Sequence, residues 1–198
     1  MARAPLSETD VAEFRRKTVV AATRLFAEQG YRSVTMRAIA TALGTSAMAP
    51  YRYFENKAEI FAMVRAEAYR RFADGQEAAF ESSEEPLERL FVMRNAYVRF
   101  ALENADAYRV MFELEQEPET RYPALATESR RAFSALERAV QGAIDARILE
   151  GDAKTVAHLL WSQLHGMVSL HLAGKLTVGR TLEELLHAPP LRFLLGES

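Results

Sequence analysis

Residues 35–57 read TMRAIATALGTSAMAPYRYFENK, and this stretch decides the fold. Ile39 and Leu43 are one helical turn apart and predict a short helix with one apolar face. Ala40 is small enough for a second helix to cross closely, and Gly44, four residues later, tolerates the positive φ of a tight turn. The spacing predicts a helix-turn-helix motif, although an ordinary helical hairpin shares the same two small residues.

Two hydroxyl side chains indicate where the helices of this motif begin. Thr35 and Ser46 are residue types that accept a hydrogen bond from the free N–H groups of a helix start. The helix that follows Ser46 is the one expected to lie in the major groove of DNA. Pro50 falls within it and lacks the N–H that closes a helical hydrogen bond, so we expect this helix to sit differently in the groove.

The end of the stretch, Tyr51-Arg-Tyr-Phe-Glu-Asn-Lys57, favours DNA binding over the plain hairpin. It places two phenols, a guanidinium and an ammonium within seven residues, beside the expected recognition helix. Tyrosine hydroxyls, and a lysine at a helix N-terminus, suit phosphate oxygens. Arg52 suits either a phosphate or the edge of a guanine. A solvated surface would not need this many aromatic rings.

The composition of the whole chain is that of an ordinary globular protein. Of 198 residues, 49% are hydrophobic, 26% are charged and none is cysteine, which excludes disulfides and thiol chemistry. The chain starts without an apolar signal segment and has no stretch of roughly 18 apolar residues, so we expect a soluble cytoplasmic protein without a membrane partner. Residues 1–60 hold nine basic and six acidic side chains, whereas the whole chain carries a net charge of −2. A basic head on an acidic body fits a head that meets phosphate.

Apolar residues recur every three or four positions along nearly the whole chain, and no alternating run is long enough for a strand. The sequence therefore predicts an all-α protein of about nine helices. Beyond the motif, helices are expected at about 57–80, 86–103, 106–115, 124–149 and 152–173, and from residue 181 onward. We assign residues 1–61 to a three-helix helix-turn-helix domain and residues 62–198 to a larger helical domain for ligand binding and dimerisation.

The N-terminal residues resemble a known family. Residues 21–31, residues 35–40, Gly44 and Tyr51-x-Tyr-Phe-x-x-Lys57 fall at the spacing of the DNA-binding domain of TetR/AcrR regulators. Thr45 and Pro50 depart from that pattern, which commonly has valine and an aliphatic residue at these positions. The resemblance implies a homodimeric repressor that binds a palindromic double-stranded DNA operator and leaves it when a small-molecule inducer of unknown identity binds. The positions carried over as DNA contacts are Thr35, Arg37, Ser46, Ala47, Met48, Tyr51, Arg52, Tyr53 and Lys57.

A second, looser resemblance covers roughly residues 86–195. Trp161-Ser-Gln-Leu-His165-Gly166 is similar to the motif of a TetR/AcrR subgroup with a Trp-His-Gly type C-terminal domain. The tryptophan and histidine are four residues apart and share a helix face, where they either contact a ligand or belong to the core. Aromatic residues elsewhere in the domain either line an apolar ligand cavity or fill it. The ligand-binding candidates are Tyr97, Phe100, Tyr108, Phe112, Trp161 and His165.

By the same resemblance, the last two long helices are expected to form the homodimer surface. Their apolar candidates are Leu160, Leu164, Met167, Val168, His171, Leu182, Leu185, Leu186, Leu191 and Leu194. Dimerisation has a physical reason, because one short recognition helix reads only a few base pairs. Two of them must stand about 34–36 Å apart to enter successive major grooves.

Two other function classes also suit a helical protein of this size. A helical metal-dependent enzyme is disfavoured, because the four histidines lack the i, i+4 spacing of a helical zinc site. Glu184 and His187 form a single Glu-x-x-His, whereas a di-iron bundle needs two copies, and Thr181 with Glu184 predicts a capping box instead. We expect no enzyme, metal or cofactor. The stronger alternative is a helical DNA-binding activator or architectural protein without a ligand.

Overall fold

The computed structural model describes residues 7–112 and 119–188, and this part of the chain is helical throughout, without a strand. The all-α prediction is confirmed. The α-helices are α1 (Glu8–Ser33), α2 (Met36–Ala42), α3 (Lys57–Glu81), α4 (Pro86–Glu103), α5 (Ala105–Phe112), α6 (Pro123–Asp145), α7 (Ala153–Leu172) and α8 (Leu182–His187). Single 3-10 turns lie at Pro50–Arg52 and Glu119–Arg121. None of the described helices has the length and apolar content needed to cross a bilayer.

The helices divide into two compact units, one that ends at Glu150 and one that begins at Gly151. In the first unit α3 is central and packs against α1, α4, α5 and α6. Arg131 of α6 ties α6 to α3, because it forms ion pairs with both Asp74 and Glu77. The proposed functional boundary at residues 61 and 62 lies inside this first unit and stays a prediction.

The N-terminal part of this unit is built around a small apolar core. Phe26 of α1 and Ile39 of α2 are fully buried, and Phe54 is 3% exposed. The half-buried Leu43 packs against them. Phe61, on the second turn of α3, lies edge-on to Phe26, with ring centroids 4.8 Å apart. The apolar face that the sequence predicts at Ile39 and Leu43 thus lies in a core with Phe26 and Phe54, and α3 completes this core.

Two predicted helices differ from the structure. The third helix of the motif is a turn followed by one 3-10 turn, because Pro50 has no N–H for an α-helical hydrogen bond. The neighbouring bonds span three residues instead, from Ala49 N to Ser46 O at 2.9 Å and from Arg52 N to Ala49 O at 3.1 Å. The predicted extension of α6 to residue 149 is wrong, since Arg147 adopts a φ of +59° and ends the helix.

The second unit contains α7 and α8, both of which begin at a side-chain cap, and the capping box of α8 is the one that the sequence predicts. Asp152 accepts a hydrogen bond from Thr155 N at 2.9 Å, and Thr181 and Glu184 form the capping box. Along the expected dimer surface Val168 and Leu182 are buried, His171 is exposed and the other described leucine and methionine candidates are half-buried. The remaining two candidates, Leu191 and Leu194, lie outside the described residues. Dimerisation stays a prediction.

Candidate functional site

The motif has the geometry that its small residues predict. Thr35 caps α2 by accepting a hydrogen bond from Ala38 N at 3.1 Å. Ala40 is 1% exposed, and Gly44 has a φ of +66°, in the left-handed region that favours glycine. Thr45, which departs from the family pattern, closes the turn by donating its backbone N–H to Ala40 O at 2.9 Å.

Most of the predicted DNA contacts have exposed side chains. Met48 is 68% exposed and Tyr51 50% exposed. The other exposed candidates are Thr35, Arg37, Ser46, Ala47 and Arg52. The predicted cap at Ser46 is wrong, because the 3-10 turn begins after Ala49 without a side-chain cap. We call the segment Ser46–Arg52 the tip of the motif.

Tyr53 and Lys57 are placed differently from the other candidates. Tyr53 is half-buried and stacks on Phe14 of α1, with ring centroids 3.9 Å apart and an interplanar angle of 13°. Lys57 Nζ donates hydrogen bonds to Tyr31 O at 2.6 Å and Arg32 O at 3.3 Å. Burial lowers the pKa of the Lys57 ammonium. This lysine therefore closes the C-terminal end of α1 and keeps one N–H for another acceptor.

The basic side chains of the motif differ from those of α1. Arg15, Arg16 and Arg24 each form an ion pair with a carboxylate, at 3.3, 2.8 and 2.7 Å. Within the described residues Arg37 and Arg52 form no such pair, and both side chains are exposed. The positive charges of Arg37 and Arg52 are therefore not neutralised by a neighbouring carboxylate within the described residues.

Four of the six ligand-binding candidates come together in the first unit. The hydroxyl oxygens of Tyr97 and Tyr108 are 2.9 Å apart, and both rings are buried. Phe112 lies edge-on to Tyr108, with centroids 5.0 Å apart. Phe100 contacts Phe72 of α3, which in turn contacts Tyr97, at 5.2 and 5.3 Å. We call these five residues and Tyr69, whose ring lies 5.8 Å from that of Phe112, the aromatic cluster.

A buried polar group that the sequence did not predict lies beside this cluster. Arg65 of α3 is 2% exposed and pairs with Glu119 Oε1 at 2.6 Å, and Ser129 Oγ donates to Glu119 Oε2 at 2.5 Å. Arg65 Nε is buried without a hydrogen-bond partner, which costs about 1–3 kcal/mol. Burial, followed by the negative charge of Glu119, raises the pKa of the Tyr69 hydroxyl and keeps it protonated.

The two remaining candidates lie on α7, in the second unit. Trp161 and His165 are both half-buried, and their ring centroids are 6.2 Å apart. His165 Nε2 shares a hydrogen bond with Ser169 Oγ at 3.2 Å. The shared helix face is confirmed, and the histidine has a polar partner on its own helix.

An open groove of about 690 Å³ lies between α1 and α3 and contains none of the six ligand-binding candidates. Val19, Val20 and Met63 line it, together with charged residues that include Arg15 and Arg71. Arg71 donates a hydrogen bond to Asn104 Oδ1 at 2.5 Å. The groove and the aromatic cluster are therefore separate features of the first unit.

Comparison with known proteins assigns both parts of the chain to one family. The family described as bacterial regulatory proteins of the tetR family matches residues 19–64. The tetracyclin repressor-like C-terminal domain matches residues 90–189, which is half of the chain. The chain belongs to the TetR family. This family consists of regulatory proteins, which confirms the expectation that the chain is not an enzyme.

Several relatives of this TetR-family protein have descriptions that bear on function. The HTH-type transcriptional activator FasR of Mycolicibacterium smegmatis is 27% identical over 128 residues. The match covers 65% of this chain and only 57% of that curated relative. The fatty acid degradation regulator FadR of Bacillus halodurans has a TM-score of 0.74 at 17% identity, covering 94% of this chain and 93% of that one.

A third relative was solved in complex with a small molecule and with DNA. AibR, in complex with isovaleryl coenzyme A and operator DNA, has a TM-score of 0.69 at 19% identity. It covers 87% of this chain and 94% of that one. At these identities the two structural likenesses establish the fold of the TetR-family protein and leave its ligand to be argued separately.

The metal alternative gains no support from the TetR-family structure. No group of three or more metal-ligating side chains occurs among residues 7–112 and 119–188. Glu184, the acidic residue of the Glu-x-x-His pair, accepts hydrogen bonds from Thr181 N at 2.8 Å and from Arg180 at 3.0 Å. Its carboxylate is thus engaged in capping α8, as the sequence predicts.

Proposed function

We propose that this protein is a ligand-responsive transcriptional repressor that binds a palindromic operator as a homodimer in the cytoplasm. The observation that carries the DNA-binding part is the pair of exposed arginines, Arg37 and Arg52, which have no carboxylate partner within the described chain. Such charges, on a helix-turn-helix surface, suit the phosphates and guanine edges of DNA. The exposed candidates of the motif also include Thr35, Ser46, Ala47, Met48 and Tyr51. Tyr53 and Lys57 instead contact α1, Tyr53 by stacking on Phe14 and Lys57 by hydrogen bonds to carbonyl oxygens.

The ligand is proposed to be small and largely apolar, and to carry an acyl group. The aromatic cluster supplies an apolar surface on α3, α4 and α5, and Tyr97 and Tyr108 add two hydroxyls within it. Arg65 adds a buried N–H without an acceptor. FadR and AibR, whose descriptions name fatty acid degradation and isovaleryl coenzyme A, favour this ligand class. Membership of the Trp-His-Gly subgroup, and a ligand contact by Trp161 and His165 of the second unit, are separate proposals.

The coupling between ligand and operator is proposed to pass through α3. This helix begins at Lys57, which holds the end of α1, and carries Arg65, Tyr69 and Phe72 along its next turns. No flexible linker separates the motif from the aromatic cluster. A ligand that moves α3 therefore changes the position of the motif and lowers operator affinity.

In-vitro selection of DNA by the purified full-length protein tests the DNA-binding part. We expect a palindromic sequence to be enriched, and the absence of enrichment would overturn the proposal. Isovaleryl coenzyme A, palmitoyl coenzyme A and palmitate are then titrated into the complex of protein and selected DNA. Release of the DNA by at least one acyl compound, but not by coenzyme A alone, is the expected result.

An activator is the second candidate, because the curated relative FasR is described as a transcriptional activator. Transcription of a reporter behind the selected operator distinguishes the two. A repressor lowers reporter output when the protein is present, whereas an activator raises it.

A further inference from the structure

We propose that the tip of the motif, Ser46–Arg52, reads its operator chiefly through the C5 methyl groups of thymine, with Met48 as the principal contact. This inference rests on the proposed DNA-binding function and specifies what that surface recognises. It concerns base readout, which is separate from the phosphate contacts that position the protein.

The apolar exposure of the tip is the first observation. Met48 is 68% exposed, and the neighbouring Tyr51 is 50% exposed. The transfer of apolar surface out of water is favourable, so an exposed methionine and an exposed tyrosine ring within one short segment favour a partner with apolar groups. Nothing in the described part of the chain covers Met48.

The shortage of hydrogen-bonding groups is the second observation. Between Ser46 and Arg52, Ala47, Met48 and Ala49 have no polar side-chain atom, and Pro50 lacks even a backbone N–H. The major groove offers donors, acceptors and one apolar group, which is the thymine methyl. The side chains of Ala47, Met48 and Ala49 therefore match methyl groups better than they match any donor–acceptor pattern, whereas Ser46, Tyr51 and Arg52 carry the polar groups of the tip.

The charge of the motif is the third observation, because it adds two arginines to the apolar side chains of the tip. Arg52 ends the tip and Arg37 lies on α2 of the same motif, and neither guanidinium has an ion-pair partner among the described residues. Pro50 is buried and accepts hydrogen bonds from the N–H groups of Tyr53 and Phe54, both at 3.0 Å. The exposed apolar side chains of the tip thus belong to a motif with two arginines that have no ion pair, although Arg52 also lies over the Tyr53 ring. The partner that suits this combination is a polyanion with apolar groups in its groove.

The experiment replaces thymine by uracil, which removes only the methyl group. Each dT of the selected operator is changed to dU in turn, and the affinity of the full-length protein is measured for every duplex. We expect a loss of about fourfold, the equivalent of the ~0.8 kcal/mol of one buried methyl group, at one or two positions of each half-site. In the variant Met48→Ala the unmodified operator binds more weakly, and the dU substitutions at those positions have no further effect.

A matched variant separates this effect from a general loss of exposed apolar surface. Val20 of α1 is 65% exposed and lies outside the tip, so Val20→Ala is expected to keep the full response to dU. Thermal unfolding checks that both variants are folded. Equal affinity for all dU duplexes would overturn the inference, as would a Met48→Ala variant that still responds at the same positions. Failure to select any operator would instead overturn the proposed function.

Discussion

Arginine is used in opposite ways at the motif and inside the helical body. Arg37 and Arg52 are exposed and have no carboxylate partner in the described chain, whereas Arg65, two turns into α3, is buried and paired with Glu119. The exposed guanidinium groups remain hydrated and therefore cost little folding free energy. Because they have no ion pair, they can bind an outside partner. The buried charge is tolerated only because a carboxylate accompanies it.

The largest effect is expected when the buried pair is broken. Glu119→Ala leaves the Arg65 guanidinium buried without its counter-charge, which we expect to cost about 3 kcal/mol, at the low end for such pairs because Glu119 is partly exposed. In a chain of this length this corresponds to a fall in Tm of roughly 6–12 °C. Thermal unfolding of the full-length protein measures it.

Two further variants decide whether the charge is responsible. Replacing both partners, Arg65→Met with Glu119→Leu, removes the uncompensated charge and is expected to restore most of the stability. Glu67→Gln breaks the exposed pair with Arg70 and is expected to cost less than about 1 kcal/mol. A double variant as unstable as Glu119→Ala would mean that packing, rather than charge, explains the loss.

Lys57 lies at the start of α3, between the motif and the helical body. Like Arg65 it has protein partners, and like Arg37 it is a candidate DNA contact. Its two hydrogen bonds to carbonyl oxygens at the end of α1 are charge-assisted, so Lys57→Ala is expected to cost about 2 kcal/mol of stability. If its third N–H meets a phosphate, the slope of log affinity against log salt also falls by about 1. Unfolding and salt titration of operator binding measure the two roles separately.

The exposed pair of Lys17 with Glu13 supplies the control, and Lys17→Ala is expected to change neither quantity appreciably. A lower Tm with an unchanged salt slope would remove Lys57 from the phosphate contacts. It would leave its role at the end of α1 intact.

The sequence predicts the motif well because its signals are local. Thr35, Ala40 and Gly44 each act within a few residues of themselves, and the structure places all three as expected. The type of the third helix was less predictable, since the effect of Pro50 depends on which neighbouring hydrogen bonds survive. The lesson is that spacing predicts where elements lie better than it predicts their hydrogen bonding.

The buried ion pair of Arg65 and Glu119 could not be predicted from local sequence spacing. Arg65 and Glu119 are 54 residues apart, and no local pattern connects them. One signal was present, because Arg65 precedes Tyr69 and Phe72 by four and seven residues, on the face of α3 that the aromatic residues occupy. A charged residue on an apolar helix face predicts a buried partner, without indicating which one.

The exposed arginines are expected to affect binding and not stability. Arg37→Ala and Arg52→Ala are each expected to weaken operator binding about tenfold, the equivalent of ~1.4 kcal/mol, within the range of one DNA contact. A change that falls at a single operator position indicates a base contact, whereas a uniform loss with a flatter salt dependence indicates a phosphate contact. Competition binding against operator variants distinguishes the two.

Arg24→Ala is the matched control, because Arg24 is exposed on α1 and pairs with Glu28 at 2.7 Å. It is expected to leave operator affinity unchanged. If Arg24→Ala weakened binding as much as Arg37→Ala does, ion pairing would not separate the two groups of arginines, and the contrast between α1 and the motif would fail.

The smallest expected effect is a change in the pKa of Glu13, whose partner Arg16 is exposed like Arg37 but forms an ion pair. Arg16 donates hydrogen bonds to Glu13, and this pairing, with a smaller contribution from Lys17, lowers the pKa of the Glu13 carboxyl from 4.5 to about 2. Because the folded-state pKa is the lower one, the stabilisation is complete above about pH 4.5 and is lost as the pH falls toward 2.

A carbon-13 NMR titration of Glu13 measures this pKa directly, and Arg16→Gln should return it toward 4.5. Since the site is exposed, added salt should move the pKa in the same direction. A Glu13 carboxyl that titrates near 4.5 in the unmodified protein would show that Arg16 is as free as Arg37 in solution, and the head would then offer a broader surface to phosphate than the motif alone.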